Sequence, residues 1–231
     1  MKEDRSREKI CVIIPAYREE KRIGEVVRQV LKHVETVVVI DDGSPDGTFA
    51  EAEKAGAAVV KHEVNKGKAA ALKTGFDYAR ENGFDVVIAM DGDGQHDPAD
   101  VPRFIEAYIR TGIPVLVGNR MSDRSAMPLI REWTNMFMSW LLSRVMKQYV
   151  PDTQCGYRLY RTDIMPLVSA ESERFAAESE ILLHIADRGL RIDNVPIKAV
   201  YRDEKSKINP IKDSFRFFRM LMRYRRRRKH R

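Results

Sequence analysis

The chain has 231 residues, 43% of them hydrophobic, and a formal net charge of +7. That is enough apolar material for one full core, which excludes a disordered chain, and no apolar run approaches the ~18 residues of a membrane-crossing helix. The charged opening MKEDRSREKI has no apolar signal core, and Cys11 and Cys155 lie far apart without metal-site spacing, so reduced thiols in a cytoplasmic setting are expected.

Short apolar runs alternate with helical patterns. ICVIIPAY (10–17) reads as a strand, EEKRIGEVVRQVLKHV (19–34) as an amphipathic helix, and TVVVIDDGS (36–44) as a strand ending in turn residues. DGTFAEAEKAG (46–56) is a helix closed by Gly56, AAVVKHE a third strand, KGKAAALKTGFDYARENG (66–83) a helix, DVVIAMD a fourth strand and PVLVGNR (114–120) a fifth. This alternation predicts an α/β fold, a Rossmann-like, mostly parallel sheet flanked by helices in a single domain. After Arg120 the pattern changes. The Met- and Trp-rich segment 127–150 reads as a long helix, QCGYRLYR (154–161) as a strand, ERFAAESEILLHIADRGL (173–190) as a helix and RIDNVPIKAVYR (191–202) as extended. The organisation expected is a charged leader over 1–9, a globular body over 10–209 divided near residue 120, and a basic tail over 210–231.

Ligands of open α/β sheets bind beyond the carboxyl ends of the strands. Three strand ends carry polar clusters here: PAYREE (15–20), DDGSPDG (41–47) and DGDGQHD (91–97). Parallel strands would bring them to one edge. A turn and helix cap account for Asp97 or Asp100 but not for Asp91 and Asp93 before them, since each added carboxylate raises the repulsion. A calcium-binding EF-hand loop starting at Asp91 would need Gly and Glu where His96 and Pro102 stand. A P-loop ending at Gly67-Lys68 would need Gly at His62 and Ser or Thr at Ala69. A hard divalent cation, Mg²⁺ or Mn²⁺, held by oxygens and shared with a diphosphate is the reading that remains.

VIIPAYREEKRI, VVVIDDGSPDGT, NKGKAAALKTGF, AMDGDGQHDP, GNR and DTQCGYRLYR resemble, in this order, the signature segments of family 2 glycosyltransferases of GT-A fold. They are most similar to the branch that acts on polyprenyl (dolichyl) phosphates. The resemblance covers about residues 10–209. It implies a metal-dependent, inverting transfer of a hexose, mannose or glucose, from a nucleoside diphosphate sugar of the GDP-mannose or UDP-glucose class. Asp91 and Asp93 would be the D-x-D pair, with Gln95 a third metal ligand. Pro15, Ala16, Tyr17, Glu19, Asp42 (beside Asp41), Lys68 and Gly92 would join them around the nucleotide sugar, although Lys68 taken alone reads as a helix-surface lysine.

The acceptor decides whether a base is needed. A phosphate monoester is already a nucleophile at neutral pH, its second pKa lying near ~6, so it needs cations. By resemblance these are Arg120, Arg131 and Arg202, whose planar forks suit phosphate, with Asn135 where the branch has a serine and Lys207 a further candidate. A saccharide or other hydroxyl acceptor would need a general base, for which Asp152, Glu178 and Glu180 are candidates. A non-catalytic binding protein on the same fold is the reading from another class.

Ten basic residues against Asp213 give segment 212–231 a charge of +9, so the rest of the chain is near neutral. Ile208, Ile211, Phe215, Phe218 and Met222 recur at helical spacing, with Lys212, Arg216, Arg219 and Arg223 off that stripe. A basic amphipathic helix suits an anionic membrane surface, and peripheral attachment to a cytoplasmic membrane face is expected. Packing of the same stripe on the globule is the alternative. No aromatic-interleaved module accompanies the Arg run, so nucleic acid is not an expected partner.

Overall fold

Four of the expected strands, rich in Val and Ile, form a parallel block on one side of a single sheet. In the computed structural model, which describes residues 5–122, 127, 129–167, 175–198 and 210–229, these are β1 (Ile10–Ala16), β2 (Thr36–Asp41), β3 (Ala58–Lys61) and β4 (Val86–Ala89). The side chains of Arg131 and of 210–216 are outside what is described. β1 pairs in parallel with β2 and β4, and β2 with β3. Val86 to Ala89 are buried without alternation, as strands covered on both faces are.

The helices that cover them carry apolar residues at helical spacing. Helix α1 (Ile23–Val30) buries Ile23, Val26, Val27 and Val30. It begins four residues later than the periodicity of 19–34 suggests, because Arg18 adopts a left-handed φ of 58° and the chain turns before the helix starts. Helices α2 (Thr48–Lys54), α3 (Lys68–Glu81) and α4 (Val101–Thr111) follow, α4 ending at Gly112 in the left-handed conformation.

The later part of the chain completes the same sheet. β5 (Val115–Asn119), β6 (Arg158–Arg161) and β7 (Ile192–Pro196) extend it to seven strands in the order β3-β2-β1-β4-β6-β5-β7. β6 is antiparallel to both neighbours, pairing Ala89 with Arg158 on one side and Leu116 with Leu159 on the other. Helices α5 (Leu129–Met146), α6 (Phe175–Asp187) and α7 (Pro210–Lys229) form a layer in which α6 packs against both α5 and α7.

The tail requires a correction. Phe217, Met220, Leu221 and Tyr224 are the residues buried against the globule, while Phe218 and Met222 are exposed. The buried row follows the i, i+3, i+4, i+7 spacing of a core-facing helix and ends in a hydrogen bond of 2.5 Å from Tyr224 Oη to Asp187 Oδ1 on α6. The expected stripe lies one row round the helix. Ile208 and the side chains of Ile211 and Phe215 fall outside the described residues.

Candidate active site

The carboxyl ends of β1, β2 and β4 meet as their parallel order requires. The loop after β1 is tied to the loop after β2 by the Arg18 amide donating to Ser44 Oγ at 3.0 Å and the Glu19 amide donating to Thr48 Oγ1 at 2.9 Å. Pro15 and Ala16 are the last residues of β1, Glu19 is buried, and Tyr17 stands at the surface with the Arg18 guanidinium 5.2 Å from its ring centre. Gly43 takes a φ of 71°, and a Cβ there would lie 2.6 Å from the Val64 carbonyl carbon, so this turn demands glycine.

The two aspartates that end β2 differ in their commitments. Asp42 Oδ1 bonds His62 Nδ1 at 2.7 Å and accepts from the Lys66 amide, and Oδ2 accepts from the Gly67 amide at 2.7 Å. His62 Nε2 continues to Thr74 Oγ1 at 2.9 Å. Asp42 thus fixes the loop that delivers Lys68 to the start of α3. Asp41 accepts from the Ser44 amide with Oδ1, while its buried Oδ2 has no hydrogen-bond partner among the described residues.

Asp91, Asp93 and Gln95 lie half-buried along the turn after β4, with Gly92 buried between the two aspartates against Ile14 and Ile23. The Asp93 carboxylate accepts from the Gln95 amide at 3.0 Å, and Asp97 caps the following turn by accepting from the Ala99 amide. His96 holds the turn from inside. Its Nδ1 accepts from the Asp91 amide at 3.1 Å and its ring stacks on Tyr157 at 5.0 Å. Burial lowers its pKa, as do Lys68 and Arg120, and together they outweigh the pull of Asp91 and Asp93, so the imidazole is neutral.

Lys68 joins the turn to the second half of the chain. Its Nζ lies 2.5 Å from Asp91 Oδ1 and 2.6 Å from Glu178 Oε1 on α6. Burial pushes the Asp91 carboxyl up, but the charge and hydrogen bond of Lys68, with Arg120 beyond it, outweigh that and hold the group at about 2. The same partners keep the Lys68 ammonium charged against its own burial. Gly156 passes beside this trio: a Cβ there would sit 3.0 Å from Lys68 Nζ, 3.2 Å from Asp91 Oδ2 and 3.3 Å from Glu178 Oε1.

A second ionic unit lies close by. Arg120 donates from Nε to Asp152 Oδ2 at 2.7 Å and from Nη2 to Oδ1 at 2.9 Å, and Asn135 Nδ2 on α5 donates to the same Oδ1 at 2.9 Å. Asp152 is fully buried. Burial raises its pKa, but the charge and hydrogen bonds of Arg120 and the bond from Asn135 bring it below the ordinary carboxylate value. Asn135 Oδ1 and Glu178 Oε2 are buried without a hydrogen-bond partner among the described residues, although Arg158 Nη2 lies 3.9 Å from Glu178 Oε2. Glu180 is buried on α6. Arg202, Lys207 and the Arg131 side chain lie outside the described residues.

Asp91, Asp93 and Gln95 carry oxygen donors of the type a hard divalent ion takes, and Asp91, beside Lys68, is ionised. The family model of glycosyl transferase family 2 matches residues 11–166, a stretch that includes Lys68, Asp91, Arg120, Asn135 and Asp152 and stops short of Glu178.

The chain belongs to glycosyl transferase family 2.

Membership makes it a glycosyltransferase, and its sheet is of the GT-A kind shared by solved structures. The glucosyl-3-phosphoglycerate synthase of Mycobacterium tuberculosis, solved with Mn²⁺, uridine diphosphate and phosphoglyceric acid, superposes with a TM-score of 0.72 at 20% identity, covering 94% of this chain and 77% of that one. Among curated relatives, the UDP-N-acetylglucosamine–dolichyl-phosphate N-acetylglucosaminyltransferase of Methanococcus voltae is 31% identical over 92% of this chain and 95% of its own. The undecaprenyl-phosphate mannosyltransferase of Micrococcus luteus is 31% identical over 84% of this chain and 85% of its own.

Three residues of the site escaped sequence reasoning. Arg158 is 1% exposed and donates to the carbonyls of Thr153, Cys155 and Glu178. It binds the 152–157 segment to α6, and nothing in the strand pattern of QCGYRLYR marks it as buried. His96 lies within the acidic run 91–97, and its position next to Gln95 is the available signal. His62 carried none. Cys155 is a packing residue, its thiol pushed up to about 12 by burial.

Proposed function

We propose that the protein transfers a hexose from a nucleoside diphosphate sugar to a polyprenyl phosphate, with inversion and with a divalent metal. The observation that carries the acceptor assignment is the Arg120–Asp152–Asn135 unit. A hydroxyl acceptor needs a free base. Asp152 is instead an ion pair with a depressed pKa, and Glu178 is bound to Lys68. A phosphate nucleophile needs only an oriented cation, and Asp152 holds the Arg120 fork in one plane. The relatives support the same choice, since their names differ in the sugar and agree on a polyprenyl phosphate acceptor.

In this reading Asp91, Asp93 and Gln95 hold the metal. When bound, the ion supplies charge neutralisation for the departing diphosphate. Lys68 binds the diphosphate beside it, with Glu178 setting the direction of the ammonium. Pro15, Ala16, Tyr17, Glu19 and Gly92 shape the nucleoside pocket. The unpartnered Asp41 oxygen has capacity to accept from the nucleoside, while Asp42 positions the loop below it. Arg131, Asn135, Arg202 and Lys207 complete the acceptor phosphate site with Arg120. The phosphate oxygen attacks the anomeric carbon opposite the diphosphate, and no proton is removed from it in that step.

The test is a matrix of nucleotide sugars against a short polyprenyl phosphate and free saccharides, with Mg²⁺ and with Mn²⁺. A lipid-linked sugar formed from one donor is expected. Transfer to saccharides with none to the lipid phosphate would overturn the acceptor assignment.

A further inference from the structure

Helix α5 has two opposite faces. Asn135, Met138, Ser139, Leu142 and Met146 are buried, and Asn135 and Ser139 hydrogen-bond Asp152 and Thr153. The outer face, at the same helical spacing, is Leu129, Ile130, Trp133, Met136, Phe137 and Trp140, each between 41% and 75% exposed. A surface helix of a water-soluble domain carries polar residues there. Six apolar side chains along about 16 Å of helix form a contiguous patch of the kind that marks an interaction surface. Among the described exposed residues from 129 to 149 there is no acidic one, and Arg144 and Lys147 follow the stripe.

We propose that this face of α5 inserts into the outer part of a lipid leaflet and is the element by which the protein docks on its membrane. The choice of a lipid over a protein occupant rests on the lipid-acceptor reading. A polyprenyl phosphate keeps its chain in the bilayer and its phosphate at the surface. The leaflet must therefore come within about a helix diameter, ~10 Å, of Asn135, and the outer face of α5 lies that far away on the other side of the same helix. Tryptophan on an apolar helix face with basic residues at its end is the composition of an in-plane interfacial helix. The exposed arginines of α7, Arg219, Arg223, Arg225 and Arg226, with Phe218 and Met222 among them, supply the longer-range attraction to anionic headgroups. Insertion belongs to α5 and charge to α7.

Trp133 and Trp140 are the only tryptophans in the chain, so intrinsic fluorescence reports this face alone. The full chain is mixed with vesicles of phosphatidylcholine, with and without phosphatidylglycerol, and with brominated acyl chains. The expected results are a shift of emission to shorter wavelength, quenching by the bromines, and stronger binding to the anionic vesicles. Replacing Trp133 and Phe137 by Glu should weaken vesicle binding about tenfold per residue, with the melting curve unchanged. Trp133→Tyr should retain most of it. Flotation with vesicles but no quenching would mean docking through the tail only, and would overturn the proposal. So would a concentration-dependent blue shift and self-association without lipid, which would make a second copy the occupant. Should the double variant not fold, quenching of the unaltered protein decides. The measurement uses neither donor nor acceptor, so its failure is distinct from a failure of sugar transfer.

Discussion

The donor-side loops and the acceptor side are built by different physics. The loops after β1, β2 and β3 are held mainly by backbone amides donating to Ser44, Thr48, Asp41 and Asp42, with short side chains and one demanding glycine. The acceptor side is held by buried charge: Arg158 on three carbonyls, Arg120 on Asp152, Lys68 on Glu178. Each link of the first kind is modest and local. Each link of the second kind is costly to break, because it leaves a charge or a carbonyl without a partner out of water. The donor half should therefore lose function under mutation before it loses stability, and the acceptor half should lose both together.

Asp93→Asn probes the donor half most sharply. Turnover should fall about a thousandfold through lost metal binding while the melting temperature stays put. Unchanged turnover with saturating Mg²⁺ would end the assignment of this turn to a metal. Arg158→Met is the acceptor-side counterpart and should cost about 3 kcal/mol of unfolding free energy, read from urea titration. A loss well under half of that would show that the buried guanidinium is not what binds the 152–157 segment to α6. Gly156→Val sits where the halves meet. Its side chain would displace Lys68 from Asp91 and Glu178, and kcat/KM should drop about a hundredfold with the chain still folded.

Asp152→Asn should cost about 2 kcal/mol at neutral pH and change the acid limb. The folded-state pKa of Asp152 is depressed, so its contribution is complete above the unfolded value near ~3.9 and is lost as pH falls through the folded value. The native protein should therefore lose more stability than the variant on going from pH ~5 to ~2, and parallel curves would contradict the pairing. Tyr224→Phe is the mildest change. Removing the bond to Asp187 should lower stability by about 1 kcal/mol, and no shift at all would loosen the case that α7 is seated on α6.

The same contrast explains what could be read from sequence. Strands β1 to β5 and their helices follow from unbroken Val and Ile runs and 3.6-residue periodicity, and the meeting of 15–20, 41–47 and 91–97 follows from parallel order. The pairing of Arg120 with Asp152 joins two residues that sequence reasoning assigned to rival mechanisms, one to phosphate binding and one to base catalysis. Spacing along the chain cannot reveal it, since the two are 32 positions apart with the whole of α5 between them. The buried row of α7 was misplaced because two apolar rows lie side by side on that helix, and only the partner surface on α6 distinguishes them.

β6 has a consequence for synthesis. β4 and β5 follow each other along the chain but are not neighbours in the sheet; a strand made some forty residues after β5 fits between them, antiparallel to both. A ribosome that has released only the first 120 residues therefore presents β4 with an unpaired edge, an aggregation hazard of the kind that slows folding and calls for chaperones. The first 120 residues are not a module that can be cut out and grafted, and a fragment ending before Arg161 should collect in inclusion bodies rather than fold.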